Sequence, residues 1–386
     1  MKHLVGMRSL AANLAALAII AAGFFFVLTR PALIAVAPPQ SVATTSVQTA
    51  AAAVAATSTR PLAHATSTKA VVKVAAVTPQ KPPAAQAPSN QVTRIENPYP
   101  FAPLSSADVN TEARAALVNI LCMPRGGSLS PISGSGVIID PRGVILTNAH
   151  VAQYVLLSQD PRVNLSCVIR TGGPAVARFT PEVLYIPPVW VEAHATEIVT
   201  PHPTGTGEHD YALLLINGSV DNSPLPASFP YLQYDTREGI GFQGDQVLAA
   251  SYPAEFLGGI AAEYDLFPAS SVTTIGQLVT FGTNSIDLLS LGGVIEAQSG
   301  SSGGAVVNAW GRLIALIATT SSGATTADRD LHALTLSYIS GDLSVQSGSG
   351  LATVLAGDVV AEAQAFDAST AAKLVALYLD TLSKPH

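Results

Sequence analysis

This chain of 386 residues is short of charge, of cysteine and of basic clusters. Lys and Arg together number 19 against 26 Asp and Glu, a formal net charge of −7. No dense Lys/Arg run offsets that balance, so the electrostatic footprint of a dedicated nucleic-acid binder is missing. There are two cysteines, Cys122 and Cys167. One pair cannot define a fold; a bridge between them is permitted if the chain is exported, and two small buried hydrophobes are the alternative. His194, His202 and His209 lie close together in sequence, but they form no H-E-x-x-H helix and sit among prolines and glycines, so they read as loop histidines and no metal is expected. No fixed-period repeat is found.

What is abundant is apolar: 48% of residues are hydrophobic, too many for a chain disordered throughout. Much of this lies at the start. Lys2 and Arg8 precede an uncharged run from Ser9 to Thr29 that stops at Arg30. A helix of about 20 apolar residues crosses a ~30 Å hydrocarbon core. Residues 1–30 therefore predict a signal anchor with its basic end in the cytoplasm and the remaining chain outside. The alternative is a cleaved signal with Ala35-Val36-Ala37 as the site, which would release a secreted protein; Pro38 directly after it disfavours cleavage. Residues 31–103, rich in Ala, Pro, Ser and Thr, lack sustained periodicity and predict an extended, poorly ordered linker.

From residue 104 the pattern changes to short apolar segments broken by Gly, Pro, Asn and Ser, which predicts an all-β sandwich or pair of barrels. Asp140-Pro141-Arg142-Gly143 has turn chemistry between Gly136–Asp140 and Val144–Thr147, a predicted hairpin. Further strands are expected at, among others, Ala116–Cys122, Ser270–Phe281 and Leu334–Ile339. Residues 104–345 form the expected β-domain and 346–386 a helical extension, with Ala, Val and Leu at helical spacing over 370–379 that suits packing against the β-domain better than binding a partner.

Three motifs carry chemistry. Leu146-Thr147-Asn148-Ala149-His150 follows the hairpin; His209-Asp210-Tyr211-Ala212-Leu213-Leu214 comes next; Gln298-Ser299-Gly300-Ser301-Ser302-Gly303-Gly304 comes last. Each is weak alone. Together, in the order His, Asp, Ser, they match one of the chain orders in which a nucleophile, its base and an orienting carboxylate recur. On these residues, and on the Gly-Ser-Gly-Val-Ile-Ile hairpin of 134–139, the sequence resembles the trypsin/chymotrypsin-like serine peptidases, nearest to the bacterial branch with HtrA-like and glutamyl-endopeptidase-like enzymes, over about residues 110–340.

The resemblance implies two packed six-stranded antiparallel Greek-key β-barrels with the site in the cleft between them. It implies His150 as base, Asp210 as its orienting carboxylate, Ser302 as nucleophile, and the Gly300 and Ser302 N–H groups as oxyanion hole. It implies no cofactor and protein or peptide substrates, which the predicted anchor places outside the cytoplasm. Glu296, six residues before Ser302, falls near the base of the family's specificity pocket, and His332 follows the expected pocket strand; either is a candidate specificity residue. Ser301 stands where digestive relatives carry an Asp that pairs with a new N-terminus, so activation by that ion pair is not expected. Too little chain follows the domain for the PDZ module of HtrA-like enzymes. Two other readings remain: a catalytically silent binding protein of this fold, and a G-x-S-x-G esterase, which would need a helix after the nucleophile where Ala305–Asn308 reads as strand.

Overall fold

The structure, a computed structural model, describes residues 85–86, 91–200, 205–255, 257, 259–282 and 284–384. The expected membrane helix of 1–30 and the linker up to residue 84 lie outside these residues. Among the described residues no helix is long and apolar enough to cross a membrane.

Six strands close into an antiparallel barrel: β2 (Leu117–Pro124), β3 (Ile132–Asp140), β4 (Val144–Thr147), β7 (Ala212–Ser219), β6 (Val176–Tyr185) and β5 (Leu165–Thr171), in that spatial order. The β3–β4 hairpin forms as its turn chemistry predicts. Gly143 adopts φ 89° and its N–H donates to Asp140 O, while the Arg142 guanidinium grips the Asp140 carboxylate at 2.8 Å. Cys122 and Cys167 face each other across β2 and β5 and form a disulfide.

Successive residues of these strands enter different cores, because side chains alternate across a strand. Ile138, Ile145 and Leu214 join one cluster with α2 (Ala149–Ser158). Val137, Leu146 and Leu213 join a second cluster that runs on into Leu248, Ala305 and Leu316 of the other sheet. Both faces being buried explains why Val144-Ile145-Leu146 is a continuous apolar run rather than an alternating one.

The second sheet departs from the expected closed six-stranded barrel. Among the described residues it has eight strands in the order β1 (Ala85–Gln86), β10 (Gln277–Thr280), β11 (Leu288–Ser290), β14 (Leu331–Thr335), β13 (Leu313–Thr320), β12 (Ala305–Asn308), β8 (Gln246–Ser251) and β9 (Ala269–Thr274), and no ladder there joins its two ends. The reason lies in the segment expected as one strand over 270–281. The chain turns a corner at Ile275–Gly276, where the two N–H groups donate to Asp245 O and Ser290 O. That sends β9 to β8 and β10 to β11, at opposite ends of the sheet.

Two more expectations need correction. Leu334–Ile339 is not a strand: β14 ends at Thr335, whose Oγ1 accepts the Tyr338 N–H and caps a helix, α5 (Leu336–Ser347). Residues 91–103, assigned to the linker, lie against the domain. Arg94 binds Asp245 at 2.9 Å, the Ile95 N–H donates to Gly239 O, and Tyr99 donates to Asp235 at 2.7 Å. A helix not foreseen, α1 (Ser106–Ala116), follows, capped by Ser105.

The C-terminal segment is helical, as its spacing predicts, and packs on the β-structure. Phe366 of α7 (Val359–Phe366) and Leu374, Val375 and Tyr378 of α8 (Ala372–Leu382) bury themselves in the α2 cluster. Arg142 of the hairpin also donates to the carbonyls of Leu355 and Gly357, at the end of α6 (Leu351–Ala356).

Candidate active site

The structure brings His150, Asp210 and Ser302 onto one cleft of about 680 Å³, also lined by Gly300, Gln298, Ser299 and Ala318–Thr320. His150 stands in the first turn of α2, directly after β4. Asp210 lies at the entry to β7, after a turn in which His209 takes φ 60°.

The Asp210 carboxylate accepts twice from one residue: the His150 backbone N–H at 2.9 Å, and ring Nδ1 at 2.7 Å. An ionised carboxylate has no proton to give, so Nδ1 carries the hydrogen and Nε2 of the neutral ring is left as an acceptor. Asn148 and Gln153 hold this arrangement from outside, donating to Asp210 O at 2.7 Å and to His150 O at 2.8 Å. Burial on its own would push the His150 ring down, but the charge of Asp210 and its hydrogen bond outweigh that, and His150 titrates above the ordinary 6.5. The ring is a third exposed, while the Asp210 side chain is 8% exposed.

The serine side is a loop wound by glycine. Gly300 has φ 93° and Gly303 φ 86°, both in the left-handed region that side chains disfavour. A Cβ on Gly303 would lie 2.0 Å from Ser135 O. Around Ser302 the N–H groups of Ser301, Gly303 and Gly304 donate to Gln298 O, Ile317 O and Ser301 O. Those of Gly300 and Ser302 have no acceptor among the described residues, the pattern an oxyanion site needs. Ser302 is half-buried, and among the described residues no hydrogen bond joins its hydroxyl to His150. Ser301 is buried, and Ser251 donates to its hydroxyl at 2.9 Å, so its polar group is satisfied without a new N-terminus.

One residue that the motifs did not single out ties the two halves together. The Ser135 N–H donates to Ser302 O at 2.8 Å, and its hydroxyl donates to Gly300 O at 2.7 Å and accepts the Tyr252 N–H at 2.9 Å. Thr147, three residues before His150, donates to Ser135 O at 2.7 Å. Only its place in the Gly-Ser-Gly hairpin hinted at this. Arg329 and Glu255 were also missed. Their ion pair at 2.6 Å braces the cleft wall, Arg329 donating to Ala297 O and Glu255 accepting the Ser299 N–H.

The two candidate specificity residues do not line this cleft. Glu296 is fully buried; Ser271 donates to it at 3.2 Å, and its other oxygen has no partner among the described residues. Burial pushes this carboxyl up to about 7. His332 Nε2 lies 3.1 Å from Asp330, whose carboxylate also accepts from Ser290 Oγ and the Gly292 N–H. Of the three clustered histidines, His194 stacks on Trp190 at 4.8 Å and His209 meets Asp342 at 2.9 Å, while His202 lies outside the described residues. Among the described residues no group of three or more His, Cys, Asp or Glu could hold a metal ion.

Residues 134–316 match the family model of the trypsin-like peptidase domain. The match covers a little under half of the chain, and over those residues the chain is similar to a trypsin-like peptidase domain. Solved structures that resemble it include an HtrA-type protease, AlgW with tripeptide, at 19% identity over 64% of this chain and 65% of that one, TM-score 0.40. Another is Deg5, at 14% identity over 63% of this chain and 95% of that one, TM-score 0.41. The match therefore spans just under two thirds of the AlgW chain. No curated protein matches.

Proposed function

We propose that this protein is a serine endopeptidase that cuts extracytoplasmic proteins through an acyl-enzyme intermediate on Ser302. The observation that carries this reading is the Asp210 carboxylate, which holds both the backbone and the ring of His150 in a cleft shared with Ser302. In the proposed reaction Ser302 Oγ attacks the scissile carbonyl and its proton passes to His150 Nε2. The oxyanion is met by the N–H groups of Gly300 and Ser302. The C–N bond breaks as His150 returns the proton to the leaving amine, and water, activated by the same ring, hydrolyses the ester. Asp210 stabilises the imidazolium without taking its proton. The scheme uses no cofactor.

In this reading residues 1–30 anchor the chain, residues 31–84 act as a tether, and substrates are peptide segments within its reach. A catalytically silent relative is favoured by one observation, the missing hydrogen bond between Ser302 and His150; such bonds often tighten only once substrate is bound. A fluorophosphonate probe separates the two readings. Ser302 should be labelled, Ser302→Ala should not, and peptide hydrolysis should fall by about 10⁶-fold in that variant. Wild-type protein that resists the probe, or Ser302→Ala that still cleaves peptide at the original rate, refutes the peptidase reading.

A further inference from the structure

Both sequence neighbours of Asp210 are held by one partly buried side chain, that of Asp342. His209 Nδ1 lies 2.9 Å from Asp342 Oδ2, and the Tyr211 hydroxyl donates to the same oxygen at 2.9 Å. Asp342 projects from α5 and its side chain is 9% exposed. Tyr338, one turn earlier on that helix, accepts the His209 backbone N–H at 3.1 Å. Burial first, and then the charge of Asp342, push the Tyr211 hydroxyl far above its ordinary range, so it stays a donor. His209 itself sits at φ 60°, a conformation a non-glycine residue keeps when its surroundings over-determine it.

We propose that Asp342 is a positioning residue for the reaction, acting through Asp210: the α5 carboxylate clamps His209 and Tyr211 so that the peptide between them presents Asp210 to His150. The inference rests on the peptidase reading for its effect on rate, but the clamp itself can be read without turnover. It gives the helix that follows the last strand a role at the site. The Asp210 carboxylate accepts from His150 alone among the described residues, so its direction depends on its backbone, which Asn148 holds at the carbonyl and α5 holds through the residues on either side. A displacement of about 1 Å in such a group is enough to cost on the order of 10²-fold in rate.

The test uses the full chain and the variants Asp342→Ala, Asp342→Asn and Tyr211→Phe, with Val345→Ala, on the exposed side of the same helix, as control. Two signals are followed: steady-state kinetics on a peptide, and the low-field proton resonance of the His150 Nδ1–H bonded to Asp210. In Asp342→Ala, kcat should fall about 10²-fold with KM changed less than about 3-fold, and the low-field proton should broaden or vanish while the dispersed amide spectrum persists. Both hydrogen bonds end on one oxygen, which an amide supplies equally well, so Asp342→Asn should recover most of both signals. If Asp342→Ala does not fold, Tyr211→Phe is read in its place, with a smaller loss in the same direction. An unchanged kcat and an unchanged low-field proton in the folded variants overturn the clamp. Should the wild type cleave nothing and resist the fluorophosphonate, the peptidase reading fails while the low-field proton still decides the clamp.

Discussion

The two halves of the cleft are built to different degrees of completion. On the barrel side the ladder is closed, and His150 and Asp210 already share two hydrogen bonds. On the other side the sheet is open among the described residues, the Ser302 loop carries two glycines in left-handed backbone, and the Ser302 hydroxyl and the N–H groups of Gly300 and Ser302 have no partner among those residues. In the proposed reaction the base and its carboxylate gain from being fixed beforehand, since any slack would cost orientation at each turnover. In that proposed reaction the donors beside Ser302 must stay free, because their partner is an oxygen that becomes an anion only as the reaction proceeds. What keeps those free groups aimed is Ser135, reaching over from the barrel.

The comparison breaks most severely at Gly303. A methyl group there meets a backbone oxygen, which cannot swing away as a flexible side chain would, and φ 86° adds strain. Gly303→Ala should lower kcat at least about 10³-fold, the scale of a lost oxyanion donor. Gly218→Ala, whose Cβ would press on the end of the Thr180 side chain, should leave kcat within about 3-fold by the ordinary tolerance of surface substitutions. Equal kcat losses in the two variants would mean that the barrel and the loop need not meet so closely.

Removing the Ser135 hydroxyl strands Gly300 O and the Tyr252 N–H in the interior. An unpaired buried group costs about 1–3 kcal/mol. Ser135→Ala should therefore reduce kcat roughly 10-fold to 10²-fold, with the His150 titration unaffected. A shift of that titration equal to the one seen on mutating Asp210 would show that the two sides are not separable.

The barrel side sets the acid limb of the pH profile. The base must be neutral, and Asp210 holds the proton on His150 more tightly than in a free imidazole. Activity should rise with pH and reach half its plateau above 6.5, and Asp210→Asn should move that midpoint downward. A midpoint at or below 6.5 in the wild type would contradict the ion pair.

The smallest effect concerns Glu296, buried ahead of the nucleophile loop. Its carboxyl titrates near 7 in the folded chain, against 4.5 for an unperturbed one. Between those values the folded state holds a proton that the unfolded state has released, so stability is highest below about 4.5, declines as pH rises to about 7, and is flat beyond. Glu296→Gln removes the slope, and at pH 8 it should be the more stable protein by on the order of 3 kcal/mol or less, one pKa unit being about 1.4 kcal/mol. Parallel denaturation curves for the two proteins from pH 5 to pH 8 would dispose of this.

Much of the site was legible because its chemistry is local. The hairpin turn, the left-handed glycines and the three motifs each announce themselves within a few residues. Elements went astray where tertiary context overruled local pattern. Leu334–Ile339 has the apolar content of a strand, yet Thr335 both closes β14 and caps α5. The 270–281 segment reads as one strand because the corner at Gly276 is stabilised by Asp245 and Ser290, which are distant in sequence. Residues 91–103 have a linker's composition and are held by Asp235, Asp245 and Gly239 of the domain.

From the order of residues alone came the identity and chain order of the proposed reacting groups, since a nucleophile, a base and a carboxylate need particular atoms and a tight turn needs glycine. What only the folded chain decided is which groups brace them. Ser135 under the nucleophile loop, Ser251 against Ser301, the Arg329–Glu255 brace and Asp342 beside Asp210 are ordinary polar residues with no local signature. Their roles come from long-range hydrogen bonds, and these exist only once burial has made every unpaired donor and acceptor costly.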